Sequence, residues 1–202
     1  RITNGMGKFN QFFNMPDSQP TPLVYRGPRV RRGRLTTHPL ETQLHFTRGE
    51  FLRCLEGISA EDAVRILEPH NTLSWMIGHL ASQENAFWVM IAQGRSLYPE
   101  LYKQVGSGFP PSSPPLDKML AVWREVTQAA DEFLEPLQEA DLTRHLEWKG
   151  SPRPESIGTM LLRNIYHYWF HTGEAHLLRA SLGHTELPEF VGKMSSAIYR
   201  RE

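Results

Sequence analysis

Apolar side chains recur at steps of three and four residues in four separate stretches of the chain, which is the spacing of amphipathic helices. The stretches run from Pro39 to about Glu56, from Leu73 to Ala92, from Leu116 to Leu137 and from Ser156 to Leu182. No stretch alternates convincingly between apolar and polar residues as a strand does, and the sequence has no internal repeat. The pattern therefore predicts an all-α fold, a four-helix bundle.

The segments between the predicted helices are long enough to carry structure of their own. Ser59–Asp62 has the sequence of a capped helical turn, and Gly94–Pro115 ends in a proline- and serine-rich loop that suits either a functional lid or a passive linker. Asp141–Pro154 is predicted to be irregular, with a brief extended piece at Leu146–Trp148. The two long connections that precede the third helix permit a crossover topology, and Leu187–Val191 suits a segment that folds back on the bundle.

The N-terminal segment differs from the helical region in composition. Residues 1–35 are rich in Arg, Pro and Gly, and five arginines lie between Arg26 and Arg34. This composition predicts a flexible extension. Attraction of an anionic surface or nucleic acid is the alternative, which the acidic remainder of the chain and the lack of aromatic residues among the arginines disfavour. We therefore expect a basic extension over 1–35, a helical bundle over 36–192, a tail over 193–202 and no nucleic-acid partner.

Length and composition narrow the class of protein. With 202 residues the chain suits one domain plus extensions, and no apolar run approaches the ~18 residues of a membrane span. The first twenty residues contain no apolar segment typical of a secretory signal. Cys54 is the single cysteine, which excludes an intrachain disulfide and suits a reducing compartment. We therefore expect a cytoplasmic protein with no membrane partner.

Two histidines stand out on the predicted fourth helix. His167 and His171 are four residues apart, so they share one helix face and their side chains approach closely enough to bind one ion. Imidazoles on an apolar face carry a desolvation cost unless a metal or hydrogen bonds satisfy them. His79 lies on the inner face of the second helix, where a histidine taken alone is more often a satisfied core residue than a ligand.

Two segments together resemble a known family. IGHLASQENAFW on the second helix, followed about ninety residues later by SIGTMLLRNIYHYWFHTGEAHLLRASLGH, is similar to the DinB-like (DinB/YfiT-like) superfamily of metalloenzymes over roughly Pro39 to Val191. Members of that family are four-helix bundles in which one histidine of helix two and an H-x-x-x-H pair of the last helix bind a divalent metal. The resemblance implies that His79, His167 and His171 are the metal ligands here.

The implied ligand set has a chemical consequence. Three neutral imidazoles leave a divalent ion with its full charge and at least one open coordination position, the pattern of catalytic rather than structural zinc. Zinc is the favoured ion, and nitrogen ligation also admits nickel or iron. Some branches of the family transfer thiols, so a low-molecular-weight thiol is a candidate co-substrate. Cys54 is predicted to be buried packing rather than a ligand.

Two carboxylates accompany the histidines. Glu174 lies one turn beyond His171 and is the candidate catalytic residue, because it could accept a proton or orient a ligand. The alternative, that Glu174 is the partner of Arg163, Arg179 or another core donor, stays open. Glu84 falls off the metal-facing stripe and is predicted to form a structural salt bridge.

The other histidines and most tryptophans are predicted to be structural. His176 points away from His167 and is assigned to the surface or a dimer face. The histidines assigned to caps, loops or solvent-facing positions are His38, His45, His70, His145 and His184. The tryptophans assigned to the core or to helix contacts are Trp75, Trp88, Trp123 and Trp169.

Three functions are compatible with these residues. The first is a metal-dependent enzyme acting on a small molecule, as a thiol S-transferase or a hydrolase. The second is an iron site related to ergothioneine-synthesis domains; it is disfavoured because their motif is H-x-x-x-H-x-E, whereas Glu174 is three residues after His171. The third is a non-enzymatic, metal-stabilised bundle that binds a partner. A homodimer through helix faces is compatible with each of them.

Overall fold

In the computed structural model of the protein, residues 38–189 and 191–198 are described. The predicted extension over 1–35 lies outside the described residues, as do residues 199–202 of the tail. The described chain is mostly helical with one small hairpin, so the all-α prediction is confirmed. None of the described helices is both long and apolar enough to cross a membrane.

Within the described residues, six α-helices carry the fold: α1 (Pro39–Cys54), α2 (Ala60–Ala63), α3 (Leu73–Glu84), α4 (Leu101–Val105), α5 (Leu116–Leu134) and α6 (Ile157–Ser181). A π-helical segment, Asn85–Ile91, continues α3 and was not predicted. Short 3-10 turns occur at Glu139–Thr143 and Met194–Ser196. Helix α1 packs on α6, and α3 packs on α5, α4 and α6.

Side-chain caps explain where three of these helices begin. His38 precedes Pro39 and its Nδ1 accepts a hydrogen bond from the Leu40 amide at 3.2 Å. Thr72 Oγ1 accepts from the Trp75 amide at 3.2 Å, and Ser156 Oγ caps the start of α6 in the same way. These bonds satisfy amide groups that have no partner inside a helix.

The segment before α6 is more regular than the sequence indicated. Strands β1 (His145–Trp148) and β2 (Ser151–Ser156) form an antiparallel hairpin, so the prediction of an irregular segment was wrong beyond the extended piece at Leu146–Trp148. Lys149 and Gly150 connect the strands with φ angles of 53° and 78°. A two-residue turn with both φ angles positive matches the twist of a hairpin, but lysine is an uncommon residue there, so the usual signal was absent.

A cluster of buried charges lies inside the bundle. Arg48 of α1 is fully buried; its guanidinium binds both carboxylate oxygens of Glu84, the Nε–Oε1 distance being 2.9 Å, and donates to Asp131 Oδ1 at 2.6 Å. Tyr168 donates its hydroxyl to Glu84 Oε1 at 2.6 Å. We call these four residues the Arg48 cluster. The structural salt bridge predicted for Glu84 is thus confirmed.

One histidine beside this cluster was assigned wrongly. His45 was expected at a cap, loop or solvent-facing position, yet only 14% of its side chain is exposed. Its Nε2 lies 3.5 Å from Glu41 Oε1 and 3.9 Å from Asp131 Oδ1. The sequence pattern missed this position because α1 buries polar side chains among its apolar ones, so polarity did not mark the exposed face.

The C-terminal segment folds back on α1 and α6. His176 Nε2 donates to the Pro188 carbonyl at 3.3 Å, and Arg53 Nη2 donates to the Glu189 carbonyl at 2.5 Å. Gln43 Nε2 also donates to the carbonyl of Ala197 at 3.1 Å. His176 is therefore half-buried under this segment rather than free on the surface.

Candidate metal centre

Three histidines from two helices meet at one point. His167 Nε2 lies 3.1 Å from His79 Nε2 and 3.0 Å from His171 Nε2. One ligand atom from each residue falls within 4.8 Å of the others, and the described residues contain no other such group. We call His79, His167 and His171 the histidine triad.

Close packing of α3 brings His79 into this position. A Cβ at the neighbouring Gly78 would lie 2.5 Å from Met119 Sδ of α5 and 3.0 Å from Val105 Cγ1 of α4, so only glycine fits without movement of these neighbours. The same approach places the Val105 carbonyl 2.8 Å from His79 Nδ1. Val105 belongs to the segment considered above as a lid or a linker, and that segment therefore contacts the triad directly.

The two histidines of α6 have equally short contacts at Nδ1. His167 Nδ1 is 2.9 Å from Gln83 Oε1, and His171 Nδ1 is 2.7 Å from Glu174 Oε2. A carboxylate and a backbone carbonyl only accept hydrogen bonds, so Nδ1 carries the hydrogen in His171, which faces Glu174, and in His79, which faces Val105. Gln83 was not identified from the sequence, although it lies four residues after His79 on the same helix face.

Protonation of His79 and His171 at Nδ1 leaves the lone pairs of both rings at Nε2. These lone pairs are directed at His167 Nε2, at 3.1 and 3.0 Å, where a proton or a cation between the rings would satisfy them. Burial, together with the positive charge that His171 and His79 would carry, lowers the pKa of His167 to about 3. Burial likewise lowers the pKa of His79. The site therefore disfavours protons, and neutral imidazoles are the form that binds divalent metals.

The contacts of Arg163 and Arg179 show whether either is the partner of Glu174, the alternative to a catalytic role for this residue. Arg163 binds Glu155, with Nε–Oε2 at 2.9 Å, and Arg179 donates to the backbone carbonyl of Cys54. Among the described residues, these two arginines are therefore engaged elsewhere, and Glu174 pairs with the triad. A catalytic role for Glu174 stays a prediction.

Aromatic rings border the triad. Trp75 stacks on His79 with a centroid distance of 4.4 Å and an interplanar angle of 12°, and its edge faces His171. Phe170 meets His171 edge-on at 5.2 Å and is largely exposed. Trp75 is buried as predicted, but its contact with His79, one helical turn away, gives it a second role in orienting the ring.

Cys54 lies apart from the three histidines. Its side chain is 3% exposed, and Sγ is 3.7 Å from the Thr172 carbonyl. Burial raises the pKa of the thiol, which opposes the thiolate form that metals bind. The predicted role in packing is confirmed.

Comparison with known proteins agrees with this geometry. No curated protein matches the chain. The family model of the DinB superfamily matches residues 43–175, a span that contains all three histidines and Glu174. This match covers more than half of the chain, and the chain therefore belongs to the DinB superfamily.

Proposed function

We propose that this protein is a divalent-metal-dependent enzyme that acts on a small molecule, with His79, His167 and His171 as the metal ligands. The observation that carries the proposal is the convergence of three Nε2 atoms whose rings are each held at Nδ1 by an acceptor. Such acceptors fix the tautomer and orientation of metal-binding histidines. The residues present therefore fit a cation.

The donor set also favours a type of chemistry. An ion held by three neutral nitrogens keeps an open position, at which it can lower the pKa of water or of a thiol. Thiol-dependent S-transfer and metal-assisted hydrolysis are the reactions proposed on this basis. Zinc is the favoured ion, with nickel and iron as alternatives. Glu174 would increase the basicity of His171 through its hydrogen bond and would be available as a proton acceptor.

A non-enzymatic function is the second candidate. The triad joins α3 to α6, so an ion there would cross-link two helices and stabilise the fold. Tyr166, Phe170 and Leu177 expose well over half of their surface along α6, a feature that supports the proposed homodimer through a helix face.

An iron site of the ergothioneine-synthesis kind stays disfavoured by the spacing of Glu174. A cytoplasmic location and the absence of a nucleic-acid partner remain predictions.

Elemental analysis of the purified protein tests the ligand assignment. The wild type should carry about one divalent ion per chain, whereas His167→Ala and His171→Ala should lose stoichiometric binding. His70→Ala is the matched control, because His70 is exposed, precedes α3 in the chain and is not part of the triad. Full metal content in a His167→Ala, His171→Ala double variant would refute the assignment.

Cobalt substitution separates the enzymatic proposals from a structural metal. Addition of bacillithiol, mycothiol or glutathione to the cobalt form should produce a sulfur-to-cobalt charge-transfer band in the near ultraviolet if a thiol is the co-substrate. The His79→Ala variant should lose this band. A cobalt spectrum that no thiol changes would eliminate the S-transferase reaction and favour hydrolysis or a structural ion.

A further inference from the structure

The hydrogen bond at His167 differs from those at the other two histidines. His79 and His171 face a carbonyl and a carboxylate, which cannot donate. His167 faces the side-chain amide of Gln83, which can either accept through its oxygen or donate through its nitrogen. Gln83 alone therefore leaves the tautomer of His167 undetermined.

A chain of buried hydrogen bonds resolves this ambiguity. Trp88 and Asn164 are both fully buried, and Trp88 Nε1 lies 2.7 Å from Asn164 Oδ1. Asn164 Nδ2 lies 3.0 Å from Gln83 Oε1, the same oxygen that contacts His167 Nδ1. The chain thus runs from an indole through two amides to an imidazole.

The direction of every bond in this chain follows from its first member. An indole N–H can only donate, so Asn164 must present its carbonyl oxygen to Trp88. Its NH₂ group then donates to Gln83, which must accept through Oε1. An oxygen in that position requires a hydrogen on His167 Nδ1, and the lone pair of His167 is left at Nε2, where the three rings meet.

We propose that Trp88 and Asn164 are positioning residues that fix His167 in the Nδ1–H tautomer and so make its Nε2 available to a divalent cation. The role of the cation rests on the proposed function, but the tautomer does not. Neither residue contacts the other two histidines through these bonds, and both act on His167 through Gln83.

The π-helical segment gives this arrangement a structural basis. Trp88 lies within Asn85–Ile91, where the wider turn changes the direction in which side chains leave the helix. Its ring packs on Phe133 at 6.1 Å, and its carbonyl accepts from Gln93 Nε2 at 2.6 Å. The packed indole directs its N–H at Asn164 Oδ1. π-helical segments of this kind often occur near functional sites.

Asn164→Asp is the most direct test, since it replaces one amide by a carboxylate of almost the same shape. A carboxylate still accepts from Trp88, but it cannot donate to Gln83, so Gln83 must present its NH₂ group to the carboxylate and to His167 Nδ1. His167 should then switch to the Nε2–H tautomer, which ¹⁵N NMR of the metal-free, histidine-labelled protein distinguishes from Nδ1–H. The affinity for Zn²⁺ should fall roughly 10–100-fold, as is typical when a partner of a ligating histidine is changed.

Two further variants act as controls. Gln83→Glu offers only acceptors, so His167 should keep the Nδ1–H tautomer and Zn²⁺ affinity should not fall. Trp88→Phe keeps a packed ring but removes the N–H, so a mixture of tautomers is expected at His167. This variant also tests the proposal if Asn164→Asp fails to fold.

The outcomes separate the two proposals. An Nε2–H tautomer in the wild type, or an unchanged Nδ1–H tautomer in both Asn164→Asp and Trp88→Phe, would overturn the positioning role. A tautomer that switches as described in a protein that binds no metal would support the positioning role and contradict the proposed function.

Discussion

The Arg48 cluster and the histidine triad are both polar groups inside the same bundle, but they differ in how their charges and lone pairs are balanced. In the Arg48 cluster a guanidinium lies between two carboxylates, and donors meet acceptors within the cluster. In the triad the Nε2 lone pairs of His79 and His171 converge on His167 Nε2, at 3.1 and 3.0 Å. A buried polar cluster whose donors and acceptors pair with one another needs no ligand, whereas lone pairs that converge on one point favour a bound cation.

Adjacent residues of α3 serve the two clusters. Gln83 contacts His167, and Glu84 binds Arg48 and Tyr168. Helix α3 therefore supplies one side chain to the surroundings of the triad and the next to the Arg48 cluster. Four perturbations test this difference between the two clusters.

Loss of Arg48 should have the largest effect on stability. Arg48→Met would leave two buried carboxylates without their cation, a change that costs about 3–5 kcal/mol in the free energy of unfolding. Urea denaturation measures this loss. Arg95→Met is the control, because the ion pair of Arg95 with Glu132 is exposed and should contribute little. Equal stability of the two variants would show that the Arg48 cluster does not support the core.

Addition of metal should have the next largest effect. A divalent ion at a hundredfold excess over its dissociation constant should raise the free energy of unfolding by about 2.7 kcal/mol. His79→Ala should lose most of this gain, because the ion could no longer join α3 to α6. A gain that persists in full in His79→Ala would place the bound ion elsewhere.

The sequence was sufficient for the helices and for the identity of the triad. Apolar spacing located the long helices, the four-residue spacing selected His167 and His171, and the resemblance to the DinB-like family added His79. The partners at Nδ1 were harder to foresee. Val105 contributes a backbone carbonyl, which leaves no trace in side-chain chemistry, and Trp88 reaches Asn164 from a π-helical segment that ordinary helical periodicity does not describe.

Neither the tautomer of His167 nor the register of the hairpin could be predicted from the sequence pattern. Both depend on tertiary contacts or on turn geometry rather than on the pattern of apolar residues. The position of His45 beside Glu41 was missed for the same reason, since α1 is polar on a face that the bundle buries.

The pH dependence of the metal-free protein provides a smaller test. The pKa of His167 is lowered from 6.5 to about 3 in the folded state, so the unfolded chain binds a proton more readily over this range. Stability should therefore fall as the pH drops from about 6.5 towards 3. His167→Gln should reduce this dependence, and an identical pH profile for the variant would contradict the depressed pKa.

Cys54 should give the smallest effect. The thiol is buried with a raised pKa, so it should react slowly with alkylating reagents until the protein unfolds. Cys54→Ala should leave metal content unchanged. Loss of metal in this variant would show that the site includes a sulfur ligand.

X-ray absorption spectroscopy of the zinc-loaded protein identifies the ligands of the ion. We expect three imidazole nitrogens at about 2.0–2.1 Å and one further light atom, with a sulfur scatterer at about 2.3 Å only after a thiol is added. His171→Ala should reduce the imidazole contribution. A zinc shell without histidine, or one that contains sulfur before any thiol is added, would contradict the three-histidine centre.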